Sequence, residues 1–172
     1  MRDDRLEKLA DVLVNYSTEV TEGDIVAISA EDCALPFIQA VARAAVKKGA
    51  LVEYYVDVPE VDAEVLKHGS REQYARPNIR FGACAASDVW ISAWGSRNTK
   101  MMQSIPSERL KERRLANREN RKKYSDRMGS GELRWCGTQF PTEADAQNAG
   151  MSLEEYEDFV YHAGFLYEAD PV

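Results

Sequence analysis

Little in this sequence is equipped for chemistry. Its 172 residues hold two histidines, His68 and His162, which lie far apart. No H-E-x-x-H run is present, so a helix-borne zinc site of that kind is excluded, and no G-x-S-x-G turn offers a serine nucleophile. The three cysteines, Cys33, Cys84 and Cys136, are scattered and without C-x-x-C spacing. That pattern argues against a disulfide framework or a zinc knuckle and suits a reducing compartment. No stretch of eighteen apolar residues exists to span a membrane. The N-terminus, MRDDRLEKLA, is charged where a secretory signal would be apolar, so a cytoplasmic protein is expected. A net charge of −7 disfavours general binding to nucleic acid or anionic membrane. A glycine fingerprint for dinucleotides is missing too. The first apolar run ends in Ser29-Ala30-Glu31-Asp32-Cys33, which sets two carboxylates where a phosphate would need bare backbone.

What is there is a regular alternation of elements. Leu6, Leu9, Ala10 and Leu13 draw an apolar stripe, and the spacing predicts a helix from Asp4 to Tyr16. Gly23-Asp24 turns the chain into Ile25–Ala30, a β-branched, nearly uncharged run that reads as a strand covered on both faces. A helix follows from Ala34 to Lys48, with Asp32 as its candidate cap and Gly49 just past its end. Leu51–Val58 is the second strand, which makes a βαβ unit with parallel pairing. Pro59–His68 predicts a short helix, and Ser70–Tyr74 one more turn. Val89–Trp94 and Leu133–Thr138 read as further strands. Between them Ser107 opens one long polar helix, and Met128-Gly-Ser-Gly131 reads as a turn. Near the end, Thr142 with Asp145 and Ser152 with Glu155 have capping-box spacing. Gly150 stops the first of these helices, and Leu153, Tyr156, Phe159 and Val160 form the apolar face of the second. The fold class expected is α/β: a single domain with a mainly parallel sheet of about four or more strands and helices on its faces.

Each candidate group has an ordinary job to set against a chemical one. Glu31 and Asp32 have the charge to ligate a cation or face an ammonium group, but capping the next helix is the simpler use. His68, in a Lys-His-Gly helix exit, suits terminal carbonyls. His162 lies one helical turn after Asp158, which suits an exposed ion pair, and two ligands make no catalytic zinc site. Cys33 near a helix start is opposed by the acids beside it. Trp90, Trp94 and Trp135 read as core or interface anchors. The stretch 107–127 carries Arg109, Lys111, Arg113, Arg114, Arg118, Arg121, Lys122, Lys123 and Arg127, interleaved with Glu108, Glu112, Glu119 and Asp126. That spacing favours a solvated helix, or one facing an acidic partner surface, over a nucleic-acid reader. No residue is assigned a catalytic, cofactor-binding or metal-ligating role.

Two stretches carry a family likeness. The run PTEADAQNAGMSLEEYEDF, with the opening LEKLADVLVNYSTEVTEGDIVAISA, resembles the thermophilic-aminopeptidase family of metallo-exopeptidases, the aminopeptidase T and aminopeptidase S type. The resemblance spans Leu6 to Val172, with one departure: Tyr167 stands where an acid is expected. It implies that residues 1–172 are the N-terminal α/β domain of a protein about twice as long, whose catalytic C-terminal domain is absent from this chain. It implies a homodimeric enzyme that releases N-terminal residues from peptides with two divalent ions, zinc, cobalt or similar. Those ions would be held outside this chain, which alone is expected to bind none and to be inactive. Other readings are a non-catalytic binding or assembly module and, behind it, nucleic-acid binding through the basic helix.

Overall fold

The computed structural model describes residues 3–172. Four strands form one sheet: β1 (Ile25–Glu31), β2 (Leu51–Asp57), β3 (Val89–Trp94) and β4 (Arg134–Gln139). Their order is β2-β1-β3-β4, and every neighbouring pair is parallel. The α/β class expected from the alternating pattern is the one observed. β1 and β3 are buried along almost their whole length, as uncharged central strands should be, whereas β2, at one edge, leaves Leu51 and Tyr54 exposed. Because side chains alternate across a strand, Val26, Ile28, Val89 and Ile91 face one layer, while Ala27 and Trp90 face the other.

The first layer is the larger core. Helix α1 (Asp4–Asp11) continues as a π-helical turn, Val12–Ser17, rather than as one helix to Tyr16. It packs with α2 (Leu35–Lys47), whose Phe37, Ala40, Val41 and Ala45 are fully buried. The C-terminal helix α9 (Leu153–Ala163) reaches the same core through Tyr161 and not through Phe159, which lies exposed. Burial lifts the Tyr161 phenol to about 12, and the Arg5 guanidinium lies 4.6 Å over its ring. A clasp joins the two ends of the chain there. Arg5 donates to Glu157 (3.0 Å) and to the Tyr167 hydroxyl (3.1 Å), Tyr167 donates to Asp158 (2.5 Å), and Lys8 reaches the carbonyls of Leu166 and Glu168. Tyr167 thus keeps a polar bridge between Arg5 and an acid.

The second layer departs further from the sequence reading. Helices α3 (Pro59–His68) and α4 (Arg71–Tyr74) are followed by α5 (Ile79–Cys84), which the pattern did not announce. Asn78 caps it, accepting from the Phe81 N–H at 3.1 Å. The long polar helix breaks at Asn117 into α6 (Ser107–Ala116) and α7 (Arg118–Ser130), so Met128–Ser130 is helical and only Gly131, at φ 79°, leaves the helix. Asn117 is buried and ties the junction down: its Oδ1 accepts from the Asn78 N–H at 2.8 Å and its Nδ2 donates to the Arg113 carbonyl at 2.9 Å. A short helix α8 (Glu143–Ala149) ends at Gly150 in the left-handed conformation, as its position foretold.

Candidate functional site

Open parallel sheets bind ligands beyond the carboxyl ends of their strands, where neighbouring connections run to opposite sides. In this strand order that point lies between β1 and β3. A cleft of about 290 Å³ opens there, walled by Trp90 and Trp94, with Glu31 and Asp57 at the strand ends and Arg80 reaching in from α5. The register explains the pairing of acids. Glu31 and Asp57 are the last residues of β1 and β2 and are direct cross-strand partners, so two carboxylates remote in sequence end on the same side of the sheet.

Their surroundings differ. Asp57 receives Arg80 at 2.7 Å, yet burial outweighs the ion pair and holds its carboxyl above the usual range. Glu31 accepts from the Ser96 hydroxyl at 2.8 Å through Oε1, while Oε2 is buried without a partner. Burial is the main force raising its pKa, and the charges of Asp57, Asp32 and Asp145 push the same way, against the Ser96 bond. A carboxyl so placed favours its proton or a cation. Deeper in the cleft the Trp90 indole N–H donates to the Ser29 hydroxyl at 2.8 Å, and both side chains are buried.

The rim is fixed by the loop after β3. Arg97 grips Asp32 with Nε and Nη2, each at 3.1 Å, which pulls Asp32 below the usual carboxylate range. Asp32 is therefore committed to this loop rather than to capping α2, and neither Glu31 nor Ala34 makes a side-chain cap bond. Asp145 collects the Ser96 N–H (3.3 Å), the Gln139 amide (3.1 Å) and the Thr142 hydroxyl (2.7 Å). Thr142 accepts from the Asp145 N–H, but the carboxylate does not return to the cap's own N–H; Ser152 and Glu155 do form the reciprocal box. On the open side Trp94 and Trp135 lie 6.3 Å apart over Gly137, where any Cβ would sit 2.8 Å from the Trp94 ring.

The remaining candidates are dispersed. His68 pairs with Glu64 at 3.6 Å, and the carbonyls at the end of α3 are taken by Arg109 instead. His162 Nδ1 meets the Asp158 carbonyl, not its carboxylate. Cys33 hydrogen-bonds the Gly95 carbonyl, and burial, helped by Glu31 and Asp32, pushes its thiol up, away from nucleophile character. Trp90 is a core residue, whereas Trp94 and Trp135 are partly in solvent. Arg80, Ser96 and Arg97 were not among the sequence candidates, because nothing local marks a loop residue that reaches across to another strand. Catalytic divalent ions need histidines and carboxylates brought together. Among the described residues no three His, Cys, Asp or Glu side chains converge so. The cleft offers Glu31 and an Asp57 already taken by Arg80, a donor set that does not fit such a centre.

Comparisons with known proteins bear on this geometry. No curated protein matches the chain. Among solved structures, wild-type AmpT from Thermus thermophilus superimposes with a TM-score of 0.76 at 20% identity, over 98% of this chain and 44% of that one. The fold is thus shared, and the chain spans less than half the length of that structure. A family profile described as thermophilic metalloprotease (M29) matches residues 2–172. The chain belongs to the thermophilic metalloprotease family.

Proposed function

We propose that residues 1–172 are the N-terminal domain of a metal-dependent aminopeptidase, a cytoplasmic homodimer that releases amino-terminal residues from peptides. The observation that carries this reading is the family match over residues 2–172 together with a fold that covers 98% of this chain but only 44% of AmpT. The ligands are then supplied by a further domain, and this chain contributes walls for the substrate. Its cleft is suited to that work. The partnerless oxygen of Glu31 favours an ammonium group, Trp90 and Trp94 give it apolar sides, and the loop pinned through Ser96 and Arg97 keeps the rim in place.

The test is an aminoacyl p-nitroanilide assay on the purified chain, with cobalt or zinc added. No turnover is expected from residues 1–172 alone, and turnover is expected when the reading frame is extended through a segment bearing clustered Glu, His and Asp. Activity of the short chain overturns the proposal, as does an inactive extended one that binds metal.

A further inference from the structure

A second groove adjoins α5, and Arg80 lines both it and the acidic cleft. It measures about 310 Å³ and is bounded by α5 and the α6–α7 junction. Four arginines line it, Arg80, Arg113, Arg114 and Arg121, and among the described residues no Asp or Glu does. Two of the four are already neutralised from behind, Arg80 by Asp57 at 2.7 Å and Arg113 by Asp62 at 2.5 Å. Among the described residues Arg114 and Arg121 have no such partner; Arg121 rests over the Phe81 ring, 5.9 Å from its centroid. The charges of 107–127 are otherwise interleaved with acids, and Lys122 pairs with Asp126. The groove is where that balance fails.

The floor beneath these groups is rigid. Asn117 holds the Asn78 N–H and the Arg113 carbonyl, and Asn120 donates to the Asn78 carbonyl at 3.0 Å, so α5 and the helix junction cannot drift apart cheaply. Guanidinium groups that share one groove repel one another unless an anion lies between them, and their planar donors match the oxygens of a phosphate or carboxylate two at a time. A volume of this size holds one small ligand, not a helix or a duplex. From the four arginines, the missing counter-charge and the pinned floor, we infer that this groove binds a small oxyanion, a phosphate or polycarboxylate group, chiefly through Arg114 and Arg121.

Pyrophosphate and citrate are the probes, titrated into the full chain by calorimetry at low ionic strength in a HEPES buffer. Saturable binding of one anion per chain is expected, and the stronger of the two probes tells phosphate from carboxylate chemistry. The exposed pair Arg114→Gln and Arg121→Gln should weaken it about tenfold or more, the loss of two charge-assisted contacts. Arg118→Gln with Lys123→Gln removes the same charge from α7 outside the groove and should change affinity less than about twofold, since exposed charges at a distance are screened. Circular dichroism of both variants must match the parent, which separates lost binding from lost fold. Absence of saturable binding, equal losses in the two variant pairs, or binding of a single-stranded oligonucleotide without binding of either small anion overturns the inference.

Discussion

Two glycines beside the acidic cleft let a steric argument be tested by rank. A Cβ on Gly95 would sit 2.5 Å from the carbonyl oxygen of Phe140, and one on Gly137 would sit 2.8 Å from the ring of Trp94. The distances are close, but the obstacles are not alike. The Phe140 carbonyl belongs to backbone held by the 2.6 Å bond from its own N–H to the Trp94 carbonyl, and Thr142 stands 3.1 Å away on the same side. Nothing there can give except the two strand exits. Trp94 is 55% exposed and Trp135 37%, so the indoles over Gly137 can swing outward. Forcing a methyl into fixed surroundings costs about 1–3 kcal/mol. Losing the aromatic contact costs about 0.5–1.5 kcal/mol. Both variants regain roughly 0.4–1 kcal/mol by stiffening the unfolded chain. Gly95→Ala should therefore lose about 1–2 kcal/mol net, and Gly137→Ala should stay within about 1 kcal/mol of the parent and lose less than Gly95→Ala. Urea unfolding followed by far-ultraviolet circular dichroism measures both without relying on the tryptophans. Fluorescence should show the reverse order, with a shifted emission maximum for Gly137→Ala and little change for Gly95→Ala. If Gly137→Ala is the more destabilised of the two, the premise that a ring yields and a carbonyl does not is wrong at this site.

Two more outcomes follow from the same cleft. Trp90→Phe strands the buried Ser29 hydroxyl that the indole N–H now serves and should cost about 1–3 kcal/mol from the lost bond. Ser29→Ala added to it should return part of that, so a double-mutant cycle by urea unfolding gives a coupling of about 1 kcal/mol; strict additivity contradicts the bond's role. The pH dependence has a definite sign. Glu31 and Asp57 are raised from ordinary values of 4.5 and 3.8, so the folded state keeps protons that the unfolded chain releases. Their contribution is fully present below those values and is lost as pH rises through the folded ones. Glu31→Gln keeps an oxygen for Ser96 and removes one titration, so its unfolding midpoint should fall less between pH 4.5 and 7.5 than the parent's. Parallel profiles for the two proteins exclude Glu31 as a source of that slope.

The parts of the fold that announce themselves are those in which local and global demands agree. IVAISA is a central strand because its apolar run is buried on both faces, and Gly150 and Ser152 end and begin helices where their backbone and hydroxyl chemistry requires. Helix α5 hides because IRFGAC has no period long enough to see; the asparagine after Pro77 was its only signal. The break at Asn117 hides for a related reason. A helix charged on all sides has no apolar stripe whose interruption would mark a kink. The cleft was half legible. Glu31 drew notice as an acid ending an apolar strand, and Asp57, which ends β2 in the same way, needed only the parallel register to join it. Arg80 and Ser96 depend on where a helix and a loop come to rest, which no spacing encodes. The exposure of Phe159 shows the limit of a helical stripe read alone, since Tyr161, two residues on and toward the other side of the helix, had the deeper place to fill.

The clasp between Arg5, Lys8 and the stretch 166–168 bears on how a nascent chain matures. α1 can settle on α2 as soon as both have been made, whereas Arg5, already beside Asp3, and Lys8 gain their partners in α9 and the stretch 166–168 only later. Until residues 161–168 have cleared the exit tunnel, that flank of α1 stays open. The last helix of this domain thus locks onto its first.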